Sequence, residues 1–169
     1  MKASETLTLT TKVVLPNDTN PSGVLFGGQL LAWIDVNASI AAARLCRRNI
    51  VTASVNNVNF VHPIFLASVV TLESKVSRAF KSSMEVITDV FVESLKTQGK
   101  VKCGEAIYTF VAMDAEGHSF PVPELIPETP EEIARYDAAL RRKQLSLILA
   151  GKMKPDDATE LKSLFFSTK

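Results

Sequence analysis

The chain has 169 residues, 46% of them hydrophobic and 22% charged, with a formal net charge of +1. These values are typical of a soluble globular protein, and the small charge gives no overall electrostatic attraction for nucleic acid or an acidic membrane. The N-terminus MKASETLTLTTK lacks the apolar core of a signal peptide, and no apolar run approaches the roughly 18 residues of a membrane span, so we expect a cytoplasmic protein.

The first part of the chain predicts a strand, a turn and a long helix. Residues from about Glu5 to Val14 alternate between leucine and threonine, as a strand does. The stretch LPNDTNPSG collects turn-forming residues. The helix expected from about Gly28 to Arg47 is apolar nearly all round and therefore needs neighbours on most sides. Its terminal arginines suit the negative end of the helix dipole.

A run of strand patterns follows the helix. From Val51 to Phe60 the apolar parity changes at Asn56–Asn57, which predicts a bulge. Two alternating segments come next, and KTQGK is expected to form a tight turn before a last strand from Val101 to Met113. Long strands joined by short turns predict an antiparallel sheet, because parallel strands need helical crossovers. The alternating segments carry Val70, Leu72, Val76 and Phe80, and then Met84, Val86, Val90 and Val92.

The character of the chain changes after Asp114, where a proline-rich and extended stretch begins. Thr129 as N-cap, Pro130 at the first helical position and Glu132 at the capping-box position predict a helix from Pro130 to Leu149. PDDATELKSLFF predicts one further short helix. The sequence thus favours an α+β fold with a main domain over residues 1–128 and a helical extension over residues 129–169.

Asp35 is unusual because it lies in the middle of an apolar helix. Burying an unpaired carboxylate costs several kcal/mol, so the side chain either points to solvent, bonds to Ser39 one turn on, or serves as a general base or nucleophile with a tuned pKa. The residues alone leave these alternatives open.

The start of the same helix offers a second chemical feature. Gly27 and Gly28 place unpaired backbone N–H groups at the positive end of the helix dipole, where a carbonyl can approach closely and an oxyanion is stabilised. The glycines equally suit a tight turn into close helix packing. Asn20, in the preceding loop, is either a turn former or an amide that orients water.

Arg78, Lys81, Ser82 and Ser83 surround the predicted junction of two strands. Cations and hydroxyls together suit a phosphate or pyrophosphate, although a solvated hairpin end has the same composition.

Several other kinds of site find no support. His62 and His118 lack a recognisable catalytic partner, and no GxSxG, Walker A or dinucleotide motif is present. Cys46 and Cys103 lack metal-ligand or redox spacing, and we expect both to be reduced and buried. No clustered metal ligands are evident, so no metal is expected.

The segments LPNDTNPSGVLFGGQLLAWID, VTASVNNVNFVHPI and SSMEV, in that order, resemble the cytosolic acyl-CoA hydrolases, a family of hotdog-fold thioesterases. The resemblance covers roughly Leu15 to Val92 and excludes about the last twenty residues. It implies a long antiparallel sheet wrapped around the central helix, dimers with composite active sites, and trimers of such dimers.

The resemblance also implies roles for individual residues. Asp35 matches the catalytic aspartate and Asn20 the catalytic asparagine, although Pro21 after it restricts its geometry. Gly27 and Gly28 match the carbonyl-binding backbone. The implied substrate is acyl-CoA, with no cofactor besides the CoA that the substrate carries. The strand-turn residues Arg78, Lys81, Ser82 and Ser83 fall in the region that resembles the CoA-binding turn.

Two other functions compete with thioester hydrolysis. A hotdog dehydratase of 3-hydroxyacyl thioesters usually requires a histidine near the helix start, and none lies between Asn20 and Asp35. A non-catalytic sensor of acyl-CoA or nucleotide would use the same groove and would bind without releasing CoA. The sequence leaves three questions open. These are the preferred acyl chain length, whether Asp35 acts as base or nucleophile, and whether nucleotides regulate the protein.

Overall fold

The computed structural model describes residues 1–93 and 99–166, without the side chain of Phe166. The chain divides into two units, Met1–Ile126 and Pro127–Lys169. The domain boundary after residue 128 stays a prediction. The expected KTQGK turn lies partly outside the described residues.

The described part of the first unit is a sheet of five strands and one α-helix. The strands are antiparallel in the order β1-β3-β4-β5-β2, and the helix packs against all five. This arrangement confirms the α+β hotdog prediction. The elements are β1 (Thr8–Val13), α1 (Gly27–Cys46), β2 (Asn49–Phe60), β3 (Val69–Ala79), β4 (Ser83–Glu93) and β5 (Val101–Met113).

Strand β1 begins three residues later than predicted. Ala3–Thr6 forms a 3-10 turn instead, in which the Thr6 hydroxyl donates to the Ala3 carbonyl (2.7 Å) and accepts from the Val76 amide (3.0 Å). The turn is thereby attached to β3, and the local hydrogen bonds of Thr6 override its strand propensity.

Helix α1 is held on the sheet by a buried polar side chain. Asn37 is 1% exposed; its amide donates to Ser74 Oγ (2.7 Å) and the Thr8 carbonyl (3.1 Å), and its carbonyl accepts from Thr10 Oγ1 (2.6 Å). These bonds fix the rotation and height of the helix. Fully buried Ala38, Ala41 and Ala42 allow its close approach to the strands.

Edge strand β2 contains the predicted bulge and a second one. Its pairing with β5 shifts between Val55 and Asn57, as expected, and also between Thr52 and Ser54. The additional bulge means that Ile50, Thr52 and Val55 lie opposite the helix-facing residues of β5. Val51, which the apolar parity grouped with Val55, therefore points away from the helix.

The second unit contains α2 (Pro130–Leu149) and α3 (Thr159–Phe166). The capping box of α2 is confirmed: Thr129 Oγ1 accepts from the Glu132 amide (3.2 Å), and Glu132 Oε2 accepts from the Thr129 amide (3.3 Å). The two helices are linked by the Leu161 amide, which donates to Gln144 Oε1 (2.8 Å). None of the helices in the described ranges combines the length and apolarity needed to cross a membrane.

Candidate active site

Asp35 lies on the side of α1 that faces β2. Its half-buried carboxylate accepts a hydrogen bond at Oδ1 from Thr52 Oγ1 (2.9 Å). Ser39 does not bind it, because the Ser39 hydroxyl donates to the Val36 carbonyl. Within the described chain no group donates to Oδ2, so that oxygen is open to a water or a substrate.

Tyr108, on β5, forms the floor beside this carboxylate. Its buried hydroxyl donates to the Leu31 carbonyl (3.3 Å), one helical turn before Asp35. Burial, together with the negative charge of Asp35, raises the pKa of Tyr108 to about 12. The phenol is therefore a neutral hydrogen-bonding group at physiological pH.

The N-terminus of α1 is uncapped. Phe26 at the N-cap position provides no side-chain hydrogen bond, and the described residues offer no acceptor to the amides of Gly27, Gly28 and Gln29. The two glycines differ in their surroundings. A Cβ at Gly28 would lie 2.7 Å from the Phe26 ring, whereas one at Gly27 would meet only Phe60, at an ordinary 3.7 Å.

An apolar cavity of about 300 Å³ opens beside this helix start. Its wall includes Gly27, Leu30 and Phe60, and the exposed His62 lies at its edge. The cavity size is at the lower end of the range for small-molecule sites. An acyl chain is the kind of group that such a wall accommodates.

Asn20 is part of a closed turn that leads into the helix. Its side-chain carbonyl accepts from the Ser22 (3.0 Å) and Val24 (3.2 Å) amides, and Gly23 in that turn has φ +71°. Asn20 therefore acts as a turn former in this chain, which was one of the two roles expected for it. No hydrogen bond joins Asn20 to Asp35 in the described part of the chain, and its Nδ2 group donates to none of these residues.

The helical geometry fixes the spacing between Asp35 and the helix start. Gly28 and Asp35 are seven residues apart, which places them on nearly the same face and about 10 Å apart along the axis. The Asp35 side chain also tilts back toward the N-terminus. A thioester carbonyl and one water molecule together fill a gap of this size.

The predicted CoA-binding turn is not close to the helix start in one chain. Ser83 pairs with Val111 on β5, whereas Phe60, next to Gly27, pairs with Gly104. Seven strand residues separate these positions, or roughly 23 Å. The turn instead lies at the sheet end where α1 finishes. Arg78 lies over the Phe80 ring, Lys81 is exposed, Ser82 is half-buried and Ser83 is buried.

Two polar neighbours of Asp35 escaped the sequence analysis. Thr52 was missed because the apolar pattern of β2 rests on its neighbours Val51 and Ala53. In the sequence, Tyr108 is indistinguishable from an aromatic residue that only packs within a strand. The signal for Thr52 would have been a polar residue at a position of β2 that faces the helix. The bulge after Thr52 changes which residues face the helix, so the sequence pattern does not show it.

Comparisons with known proteins agree with this architecture. Residues 22–97 match the family described as Thioesterase superfamily. An uncharacterized acyl-CoA thioester hydrolase of Bacillus subtilis is 45% identical over 138 residues, which are 82% of this chain and 80% of that protein. A solved apo-hexameric acyl-CoA thioesterase superimposes with a TM-score of 0.85 at 35% identity, over 89% of this chain and 96% of the other.

The acyl-CoA hydrolase of Staphylococcus aureus, solved with butyryl-CoA, CoA and CoA disulfide, has a TM-score of 0.82 at 31% identity, over 96% of this chain and 98% of the other. Alanine variants of an asparagine, an aspartate and a threonine have been solved for that enzyme, with the aspartate 15 positions after the asparagine and 17 before the threonine. Asn20, Asp35 and Thr52 have the same separations. The chain belongs to the thioesterase superfamily, in its family of hotdog acyl-CoA thioester hydrolases.

Proposed function

We propose that this protein hydrolyses acyl-CoA thioesters to a free carboxylic acid and CoA. The observation that carries the proposal is the Asp35 carboxylate, fixed by Thr52 at one oxygen and open at the other, on the helix that begins beside an apolar cavity. Membership of the acyl-CoA thioester hydrolase family supports the same substrate class, as do the spacings shared with the Staphylococcus aureus variants.

In the proposed mechanism Asp35 acts as the general base. Its free oxygen takes a proton from a water molecule, whose oxygen adds to the thioester carbonyl carbon. The spacing of about 10 Å from Gly28 supports a water-mediated role rather than direct attack by the carboxylate. Asn20, contributed by a partner subunit, is proposed to position this water.

The amides of Gly27 and Gly28 stabilise the oxyanion in this proposal. They are unpaired in the described chain and lie at the positive end of the α1 dipole. The tetrahedral intermediate then collapses, the carbon–sulfur bond breaks, and CoA leaves as a thiolate that takes up a proton. Because a thiolate is a good leaving group, the mechanism needs neither a strong general acid nor a metal or redox cofactor.

We propose dimers in which β2 pairs with its counterpart, and trimers of such dimers. Strand β2 is a sheet edge whose residues are nearly all exposed, and exposed apolar edges are rare in monomers. The adjacent face of α1 is also apolar and open, with Val36 61% and Ile40 41% exposed. Hexameric assembly of solved relatives supports this proposal.

Thiol release from short-, medium- and long-chain acyl-CoAs tests the proposed activity. We expect steady turnover with at least one chain length, and binding of the same compounds in calorimetry. Binding of acyl-CoA without thiol release from any of them would reject hydrolysis in favour of the sensor function.

A further inference from the structure

A second cavity lies at the opposite end of α1 from the apolar one. It has a volume of about 380 Å³ and a polar wall, formed where α1 ends, β2 begins and β5 finishes. Arg47, Arg48 and Asn49 lie on one side of it, and Asp114 lies on the other.

The two arginines have no carboxylate partner among the described residues. Arg47 donates through Nε to the Arg44 carbonyl (3.1 Å), which leaves the two terminal nitrogens of its guanidinium without a described acceptor. Arg48 lies over the Phe120 ring, with Cζ 4.5 Å from the ring centre. Stacking holds the plane of the guanidinium and leaves its N–H edge available.

The single carboxylate in the cavity wall is engaged elsewhere. Asp114 Oδ1 accepts from the Glu116 (3.1 Å) and His118 (2.7 Å) amides, and Oδ2 lies 3.6 Å from His118 Nδ1. It closes its own turn and forms no ion pair with the arginines. Arg47 binds a carbonyl at the negative end of the α1 dipole, which explains its contact with Arg44. The dipole does not explain why Arg48 also lies in the cavity wall.

A further cation belongs to the same end of the sheet. The Val122 amide donates to the Lys81 carbonyl (3.0 Å), and Phe120, two residues earlier, donates its amide to the Ala112 carbonyl (2.8 Å). Lys81 is exposed and its ammonium has no partner in the described chain. Three cations without carboxylate partners therefore border one region.

We propose that Arg47 and Arg48 bind the phosphate groups of the CoA nucleotide in this cavity. Guanidinium groups suit phosphate because their N–H pairs match its oxygens. The cavity and Asp35 both adjoin β2, the cavity through Asn49 and Asp35 through Thr52. Arg47 is about 18 Å from Asp35 along the helix, comparable to an extended pantetheine arm. The assignment rests on the proposed function for the identity of the ligand.

The experiment measures binding of CoA and of 3′,5′-ADP to the full-length protein by calorimetry, for wild type, Arg48→Ala and Arg48→Lys. We expect Arg48→Ala to weaken both affinities about tenfold and Arg48→Lys to weaken them less, because lysine keeps the charge without the planar fork. Asp114→Asn keeps the turn acceptor, removes the negative charge and is expected to tighten binding. Lys152→Ala, an exposed charge in the second unit, is the control.

Kinetics separate this inference from the proposed function. Arg48→Ala should raise KM for acyl-CoA and leave kcat/KM unchanged for an acyl-N-acetylcysteamine thioester, which lacks the nucleotide. If no thioester is hydrolysed at all, the binding measurement still decides the inference. Unchanged affinities for CoA and 3′,5′-ADP in Arg48→Ala would overturn the inference. Weaker binding of 3′,5′-ADP with an unchanged KM for acyl-CoA would also overturn it, because the cavity would then bind a free nucleotide.

Discussion

Asp35 differs from Asn37 and Ser39, two other polar residues of α1, in how its side chain is held. Asn37 has all its hydrogen-bonding groups occupied inside the protein, and Ser39 bonds back to its own helix. Asp35 has one oxygen bound and one open. A carboxylate that is oriented but not saturated has the geometry required of a general base.

Tyr108→Phe tests the polar floor beneath this carboxylate. Because the folded protein raises the tyrosine pKa from its ordinary 10 to about 12, the wild-type free energy of unfolding should be highest below pH 10. It should fall by roughly 2 kcal/mol between pH 10 and pH 12 through this group. Phenylalanine should remove that part of the slope in urea titrations. Tyr136→Phe is the control. If Tyr108→Phe leaves the dependence of the unfolding free energy on pH unchanged, the raised pKa of Tyr108 is contradicted.

Gly27→Ala tests the approach of a carbonyl to the helix start. A methyl group at residue 27 meets only Phe60 at an ordinary distance, so stability should stay equal or rise by about 0.5–1 kcal/mol. We expect kcat/KM for acyl-CoA to fall at least roughly tenfold, because the added methyl group keeps the carbonyl away from the amides, and loss of one oxyanion contact costs more than that. A stable Gly27→Ala variant with wild-type kcat/KM would show that the thioester carbonyl does not bind at the start of α1. Gly28→Ala is less informative because the Phe26 ring must move.

At the scale of elements, the buried Asn37 network is the main device that orients α1. Asn37→Leu keeps the volume but leaves Thr10, Ser74 and the Thr8 carbonyl without this partner. Each buried polar group left unpaired costs about 1–3 kcal/mol, so we expect a loss of about 3 kcal/mol in the free energy of unfolding.

Urea denaturation of Asn37→Leu measures this loss. Asn56→Ala is the matched control, because that exposed amide binds Thr109 on the other face of the sheet. A loss of less than about 0.5 kcal/mol in Asn37→Leu, the size of an ordinary surface substitution, would show that the network does not hold the helix.

The elements were largely predictable because their signals are local. Strand β5 has the predicted bounds, and so does α2, whose capping box is explicit in the sequence. Strand β1 was harder: Leu9 is 58% exposed while Thr10 faces α1. The half-buried Thr10 hydroxyl and the Thr8 carbonyl are satisfied by Asn37, which is distant in sequence. Alternation alone does not reveal which face of a strand is buried.

At the scale of the whole molecule, the open edge at β2 and the apolar face of α1 lie side by side. Val36→Glu places a charge in the proposed dimer interface, where an unpaired buried charge costs several kcal/mol. We expect the mass in light scattering to fall toward that of a monomer. Leu9→Glu, on the distant strand β1, should leave the dimer intact. Unchanged assembly of Val36→Glu would reject this interface.

The candidate site was only partly predictable for a related reason. Asp35 is conspicuous in the sequence because it is a charge in an apolar helix. Thr52 becomes its neighbour only through the register of β2 and the bulge that follows it. Arg78, Lys81, Ser82 and Ser83 lie far from Gly27, at the sheet end where α1 finishes, and this separation follows from the pairing of distant strands. Strand pairing of this kind is not visible in the local pattern of the sequence.

The most direct test of the account is single-turnover hydrolysis of an acyl-CoA by wild type and Asp35→Asn, with CoA binding measured for both. Asparagine preserves the shape and the acceptor for Thr52 but removes the base. We predict unchanged CoA affinity and a rate of hydrolysis lowered by about 10²–10⁴-fold, the contribution of a general base. Wild-type rates in the folded, CoA-binding variant would contradict the central role of Asp35.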